Sequence, residues 1–409
     1  MIIDLKKINI KQVLMLFGSN ILLIIIGFGI KKIQTQELGE INYGEYAFFI
    51  AFINFIVLFF RFGFFVSIQN LLALNNNPIR EKKILGLGFI IALINGFVFS
   101  LFLWLSSFFI NDIFHTSAGD LLRSFAPLTI IFPFQFLFNA YGSGTNKIKL
   151  NAWYNILPKF LFIFFLLFCL LFKSIDLKNV ILLNLISTLI IITFYFFKLK
   201  PIFSSLKKYW NIIWIKNKKY GFHYYKGAIT NQTTYKLDGL FLSAFFNTSL
   251  LGFYSLALLI TSPMLSLSDS ISKSMFKKYA GLQKIPKEVF VINTIWLLGC
   301  MLFFYLFSEF LVQLLFGTDF IEVAEYTFYL TFVLFFHGLS KPFAFLAAKS
   351  KGKELKKVSY LEAFFNITGN IILIPIYGIK GAILASLLAK IANFIYIRYF
   401  YKQYLKSNL

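Results

Sequence analysis

The sequence predicts an all-α polytopic membrane protein of about twelve transmembrane helices, and three observations lead there. Only 14% of the 409 residues are charged against 58% hydrophobic, and mean hydropathy is +0.75, far from the roughly one-quarter charged content of a soluble domain. Apolar runs of about 18 to 25 residues, long enough at about 1.5 Å per residue to cross about 30 Å of hydrocarbon, recur along nearly the whole chain. Basic residues crowd into every second connection between those runs, as they do where positive charge is retained on one side of a membrane.

The runs place spans at 13–30, 46–68, 84–110, 121–141, 154–172, 179–197, 223–246, 252–275, 289–308, 325–347, 358–377 and 381–399. The first follows "MIIDLKKINIKQ" with no small-residue cleavage site before the second, so it is expected to stay as an anchor. With the N-terminus taken as cytoplasmic, the inner segments hold 28 Lys+Arg, counting Lys273 and Arg398 at the inner ends of their spans, and the outer loops hold 5. A wrong count would scramble that alternation. Both termini are therefore expected in the cytoplasm, and the net charge of +23 reads as topology, with no nucleic-acid partner.

The two cysteines, Cys169 and Cys300, fall inside spans and predict no disulfide and no metal site; no cofactor is called for. Lysines number 36 against four arginines, so an arginine inside a span is the more informative charge. Domain boundaries are expected at the longest polar connector, "KLKPIFSSLKKYWNIIWIKNKKYG" at 198–221: a six-helix half over 1–200, a cytoplasmic linker over 201–220 and a second six-helix half over 221–409. Phe203, Leu206, Trp210 and Ile213 recur there at spacings of three and four among lysines. That suits a short interfacial helix as well as an ordinary basic loop.

A short internal repeat supports two halves. "YGEYAFF" at 43–49 opens the second span and "LGFYSLA" at 251–257 the eighth; Arg61 stands 17 residues beyond Gly44, and Asp269 stands 17 beyond Gly252. Equivalent ionisable positions in equivalent helices are what duplicated transporter halves produce.

Three stretches resemble one family. "LGEINYGEYAFFIAFINFIVLFFRFG", "YKLDGLFLSAFFNTSLLGFYSLA" and "NITGNIILIPIYGIKGAILASLLAK" are similar to the start, the seventh and eighth helices, and the C-terminal pattern of bacterial polysaccharide flippases, the O-antigen (Wzx-type) branch of the multidrug and oligosaccharidyl-lipid flippase (MATE-like) superfamily. The same motifs occur in teichoic-acid and capsule exporters and leave the glycan open. The resemblance implies two pseudo-symmetric six-helix bundles around a central cavity, in the bacterial cytoplasmic (inner) membrane. It implies as substrate an undecaprenyl-diphosphate-linked repeat unit, such as a lipopolysaccharide O-antigen, with polysaccharide assembly proteins as partners.

The embedded charges are read on their own chemistry. A charge at a helix centre costs about 2.5–3.5 kcal/mol on insertion scales, so it normally faces a bundle interior or water. Lys236 and Asp238 lie about 200° apart around a helix and cannot pair with each other. Asp238, with Asn231 and Thr234 behind it, is expected to be a buried structural or coupling residue; Lys236, a turn beyond Gln232, is the lumen cation. Asn54 and Arg61, seven apart, share a face, and Arg61 either grips a phosphate with two parallel hydrogen bonds or joins an interhelical ion pair with Asp238 or Asp269. Asp269 is set to pair with Lys273. His337 and Lys341 sit a turn apart before Pro342, which can kink the helix, and the two suit an anion or a proton relay, against the plainer reading of a satisfied buried histidine. Lys159, Lys226 and Lys390 are expected to snorkel, and Glu362, Asn366 and Asn370 to serve helix packing.

These residues suit alternating access for a lipid diphosphate, driven by protons or sodium through Asp238 or Asp269. A polymerase or glycosyltransferase is the enzyme alternative, disfavoured by short outer loops without a catalytic constellation, and the chain is expected not to be an enzyme. No G-x-x-x-x-G-K-[ST] loop occurs, which argues against ATP-driven transport within this chain. A MATE-like small-molecule exporter is the nearer rival, with an acidic or aromatic cavity where this chain offers Arg61, Lys236 and Lys341.

Overall fold

The computed structural model describes residues 10–74, 77–114, 116–145, 147–172, 175–349 and 351–408. All regular backbone among them is helical. They form two compact units: Glu37–Lys236, and the residues through Gln36 together with those from Leu237 onward. This grouping cuts the chain at places other than the expected halves. The first helix joins the C-terminal residues, and the chain through Lys236 joins the N-terminal ones. Gly39, at φ 68° and ψ −178°, interrupts α1 (Ile10–Ile56) just beyond the first of these boundaries. An L side chain rarely adopts that backbone, so the glycine lets the two parts of α1 belong to different units.

The Glu37–Lys236 unit contains the second part of α1, then α2 (Phe64–Ala73), α3 (Pro78–Phe114), α4 (Ala118–Phe125), α5 (Phe134–Gly144), α6 (Ile148–Leu171), α7 (Leu177–Leu199), α8 (Leu206–Lys216) and the start of α9 (Phe222–Phe245). Ile53, Ile68, Phe99, Leu137 and Phe138 form its fully buried centre. Asp176 begins α7 by accepting from the Asn179 amide at 2.7 Å, satisfying a donor that a helix start leaves orphaned. Where α3 begins, Lys147 Nζ donates to Glu81 Oε1 at 2.6 Å and to the Tyr141 hydroxyl at 3.0 Å. Partial burial pulls the Lys147 ammonium down, but these two partners outweigh it and hold the group above its ordinary pKa.

The second unit contains the first part of α1, the end of α9, α10 (Thr248–Thr261), α11 (Pro263–Gly281), α12 (Lys287–Phe316), α13 (Val323–Ser340), the single turn α14 (Ala344–Ala348) and α15 (Gly352–Asn408), the last interrupted at Gly378. Met275, Tyr279, Val289 and Phe345 anchor one of its apolar clusters. α12 is peripheral, with only 22% of its most apolar window buried, as is α6 at 17%, against 61% for α3. Many of their Phe and Leu side chains, Phe160, Phe164, Leu302 and Phe310 among them, are exposed, which lipid tolerates on this scale.

Every one of the twelve expected spans falls on helical backbone. Among the described residues, eight helices are long and apolar enough to cross a membrane, or nine if α10 and α11, bent by 53°, count as one. The expected second, fourth, eighth and tenth spans are each broken. A proline stands at three of the breaks, Pro133 before α5, Pro263 opening α11 and Pro342 after α13; proline lacks the N–H that the helix ladder needs. At the other, Phe60 leaves helical geometry and Phe62 and Gly63 turn left-handed, at φ 45° and 78°. Only the kink at Pro342 was anticipated from the sequence.

Candidate functional site

Arg61 ends the 3₁₀ turn Val57–Arg61, immediately before the left-handed pair. The break directs it into a cavity of about 240 Å³ inside the Glu37–Lys236 unit. Its guanidinium carbon lies 3.9 Å from the centre of the Phe136 ring, a cation–π contact that seats the head group against the cavity wall. Gln69, Asn139, Ser143 and Tyr225 supply other polar groups of the lining, Gly63, Phe65 and Val66 bring the N-terminal turn of α2 to it, and no carboxylate is among the described lining residues. A guanidinium, neutral donors and the positive end of a helix make an anion-favouring environment.

Asn54 and Lys236 meet beside this cavity without lining it. Lys236 Nζ donates to the Asn54 backbone carbonyl at 2.7 Å, so Asn54 contributes main chain where its side chain was expected. Arg61 lies within electrostatic reach of both Lys236 and Tyr225. The expectations for the side chains of Lys226, Asn231, Gln232 and Thr234 lie outside the described residues.

Asp238 belongs to the other unit and is 4% exposed. Its carboxylate accepts from Asn370 Nδ2 at 2.7 Å, Ser386 Oγ at 2.6 Å and the Tyr254 hydroxyl at 3.0 Å. Asn366 extends the cage, donating to Ser386 Oγ at 3.2 Å and accepting from Asn370 Nδ2 at 3.3 Å. Asn370 Oδ1 is buried with no hydrogen-bond partner among the described residues. A carboxylate, amide oxygens and hydroxyls form a hard oxygen set of the kind that takes a proton or a small cation. Asn366 and Asn370, expected to serve packing, thus belong to the Asp238 site.

Two further pairs correct the sequence reading. Asp269 pairs with Lys341 at 2.8 Å and not with Lys273: the 3₁₀ turn Lys341–Phe343 brings Lys341 across to α11, and Lys273 stays exposed. Lys390, expected to snorkel, is buried and bonded to Glu362 at 2.7 Å, with side-chain exposures of 7% and 4%; Asn393 holds the other carboxylate oxygen at 2.5 Å. The partner lies across the Gly378 break, out of reach of any pattern of neighbouring residues. His337 is half-buried and within electrostatic reach of Lys390 and Lys341. Among the described residues no three His, Cys, Asp or Glu side chains gather as a metal site.

Sequence reasoning missed Gln69, Asn139, Ser143 and Tyr225 in the cavity and Tyr254 and Ser386 in the cage. A signal existed for Asn139 and Ser143, polar residues one turn apart at the end of an apolar run; tyrosines and serines are too common in this chain to stand out.

Residues 10–272 match the model of the family described as polysaccharide biosynthesis protein. No curated protein matches the sequence. Among solved structures, the chain resembles the lipid II flippase MurJ in an inward closed conformation, at 15% identity over 95% of this chain and 87% of that one, TM-score 0.74. It resembles an inward-facing MATE family multidrug resistance transporter of the MOP superfamily at 15% identity over 95% and 96%, TM-score 0.72. A MOP superfamily transporter from Pyrococcus furiosus, described by the reverse polarity of its binding pocket, is similar at 13% identity over 95% and 96%, TM-score 0.59. At these identities the likeness establishes the fold. The match over residues 10–272, on the all-α, multi-pass fold that MOP superfamily transporters share, makes this chain a member of the polysaccharide biosynthesis protein family.

Proposed function

We propose that the protein is a flippase that carries an undecaprenyl-diphosphate-linked oligosaccharide, of the O-antigen or capsule repeat-unit kind, from the inner to the outer leaflet of a bacterial cytoplasmic membrane. The observation that carries this reading is the Arg61 cavity, where a guanidinium and a helix N-terminus meet amide and hydroxyl groups and none of the described lining residues is a carboxylate. A diphosphate would take the paired N–H groups of Arg61, and the hydroxyl-rich glycan would exchange hydrogen bonds with Gln69, Asn139, Ser143 and Tyr225. The prenyl tail stays in lipid, where it needs no polar partner. Lys236 and Asn54 support the cavity from its edge; Lys341 and His337 are secondary anion groups in the other unit.

Transport is by alternating access of two pseudo-symmetric six-helix halves without covalent chemistry, and the recurrence of broken spans six apart supports the duplication. Asp238 couples transport to a proton or sodium ion, and Asp269 contributes through its pair with Lys341. Both termini lie in the cytoplasm, and proteins that assemble the polysaccharide use the delivered unit. The fold likeness to a multidrug resistance transporter favours small-molecule export as the second reading; a cavity for cationic drugs would hold carboxylates.

The test is glycan export in cells. Arg61→Ala should abolish surface glycan and leave lipid-linked repeat units in the inner leaflet, with partial activity in Arg61→Lys, which keeps the charge and loses the paired geometry. Normal export by a well-expressed Arg61→Ala protein would remove the diphosphate from this cavity.

A further inference from the structure

The segment joining α7 to α9 has a property the transport cycle does not use. It carries seven lysines between residues 198 and 219, and no Asp or Glu occurs anywhere between Asp176 and Asp238. None of the seven forms an ion pair among the described residues, and all but the half-buried Lys216 are exposed.

The segment is nonetheless firmly seated. α8 packs on α2 and α3 through Tyr209 and Ile213, one turn apart and 8% and 0% exposed. An adjoining stripe presents Trp210 and Trp214, stacked at 5.8 Å and each packed on Phe64, with the Lys218 ammonium 5.2 Å from the Trp214 ring centre. Amphipathic tryptophans interleaved with lysines at the end of membrane spans match the headgroup layer, apolar on one side and wet on the other. Charge complementarity selects the occupant: a row of uncompensated ammonium groups gains from negative phosphodiesters and little from zwitterionic lipid.

This surface is joined to the Arg61 break. The helix widens to a π-helical turn at Asn217–Gly221, where Asn217 is 4% exposed. Asn217 Nδ2 donates to the Phe62 carbonyl at 3.0 Å, and its Oδ1 accepts from Ser67 Oγ at 3.2 Å. Beside it a Cβ on Gly63 would stand 2.5 Å from the backbone of Gly221, so the two chains touch only because both residues are glycine. Asn217 therefore ties Phe62, the first residue of the left-handed pair, to Ser67 in the first turn of α2, and Phe62 holds that conformation only when its surroundings support it.

We infer that the lysine segment 198–219 binds anionic phospholipid headgroups at the membrane surface, and that this binding steadies the Arg61 break through Asn217. The inference goes beyond the proposed transport function and is tested without transport. Purified full-length protein is titrated in detergent with phosphatidylglycerol or phosphatidylcholine, following thermal stability and amide exchange by mass spectrometry. Phosphatidylglycerol should stabilise the protein at concentrations at least tenfold lower than phosphatidylcholine and slow exchange at both 206–216 and 57–67. Lys207→Gln/Lys208→Gln/Lys218→Gln/Lys219→Gln should erase that preference, because four lysines at about fivefold each amount to about 600-fold. Asn217→Ala should keep protection at 206–216 and lose it at 57–67.

Equal response to the two lipids, or a preference that survives the four substitutions, overturns headgroup binding; wild-type protection confined to 206–216 overturns the link to Arg61. If the fourfold variant does not fold, the wild type decides. Its preference must vanish at about 0.5 M salt, where exposed charges are screened within a few ångströms, and a preference that persists overturns the proposal. Because no arm measures transport, failure here is separable from failure of the substrate role of Arg61.

Discussion

Replacing Asp238 tests whether the cage around it is a polar network or an accident of packing. Three donors converge on the carboxylate: Asn370 Nδ2, Ser386 Oγ and the Tyr254 hydroxyl. In Asp238→Asn the new amide can keep accepting from Asn370 with its oxygen and donate to Ser386 Oγ with its nitrogen, since a hydroxyl can turn to accept. The loss is then mainly charge assistance, about 1–3 kcal/mol over the set. In Asp238→Val no acceptor remains. Asn370 Nδ2 retains Asn366 Oδ1 at 3.3 Å, but both hydroxyls lose their acceptor, and at about 1–3 kcal/mol each the cost is about 2–6 kcal/mol. Thermal unfolding of the purified proteins should rank wild type above Asn and Asn above Val. Sodium or acid should shift the transition of the wild type and leave that of Asp238→Asn unmoved. A Val variant as stable as wild type would refute the network, and an ion response retained by the Asn variant would remove Asp238 from coupling.

The buried pair of Glu362 and Lys390 should behave asymmetrically: Glu362→Gln alone strands a buried ammonium and should cost about 3–5 kcal/mol, whereas Glu362→Leu with Lys390→Met should recover most of the loss in the same unfolding assay. Asp269 and Lys341 are partly exposed at 35% and 25%, so either single neutralisation should change stability by no more than about 1 kcal/mol; the charge-swapped double variant should restore any transport the singles lose. Reporter fusions after residues 115 and 350 should report outside and inside respectively, and a shared side would overturn the helix count.

Hydropathy made the helices legible because insertion in lipid demands long apolar runs whatever the tertiary structure. The phase of a helix was legible too. Lys236 and Asp238, about 200° apart, do go to different partners, the Asn54 carbonyl and the Asn370–Ser386–Tyr254 cage. Partners on distant helices were not legible. Lys273 is the neighbour of Asp269 in sequence, but Lys341 is its neighbour in space, and Lys390 reaches Glu362 only because α15 turns at Gly378. Nor did the pattern expose the break at residues 60–63, since Phe62 is an ordinary apolar residue and the Asn217 side chain that bonds its carbonyl is 155 residues away in sequence. The cavity lining followed from that break, so Gln69 and Tyr225 went unnoticed with it.

The central claim, that Arg61 holds the diphosphate of a lipid-linked glycan during its passage across the membrane, is tested most directly by translocation in vesicles. Wild-type protein, Arg61→Ala and Arg61→Lys, each reconstituted at equal density, would be given an undecaprenyl-diphosphate-linked oligosaccharide, and the fraction reaching the opposite leaflet measured by its accessibility to an added glycosidase. The account predicts translocation by the wild type, loss in Arg61→Ala and an intermediate rate in Arg61→Lys; equal rates for wild type and a folded Arg61→Ala protein would contradict it.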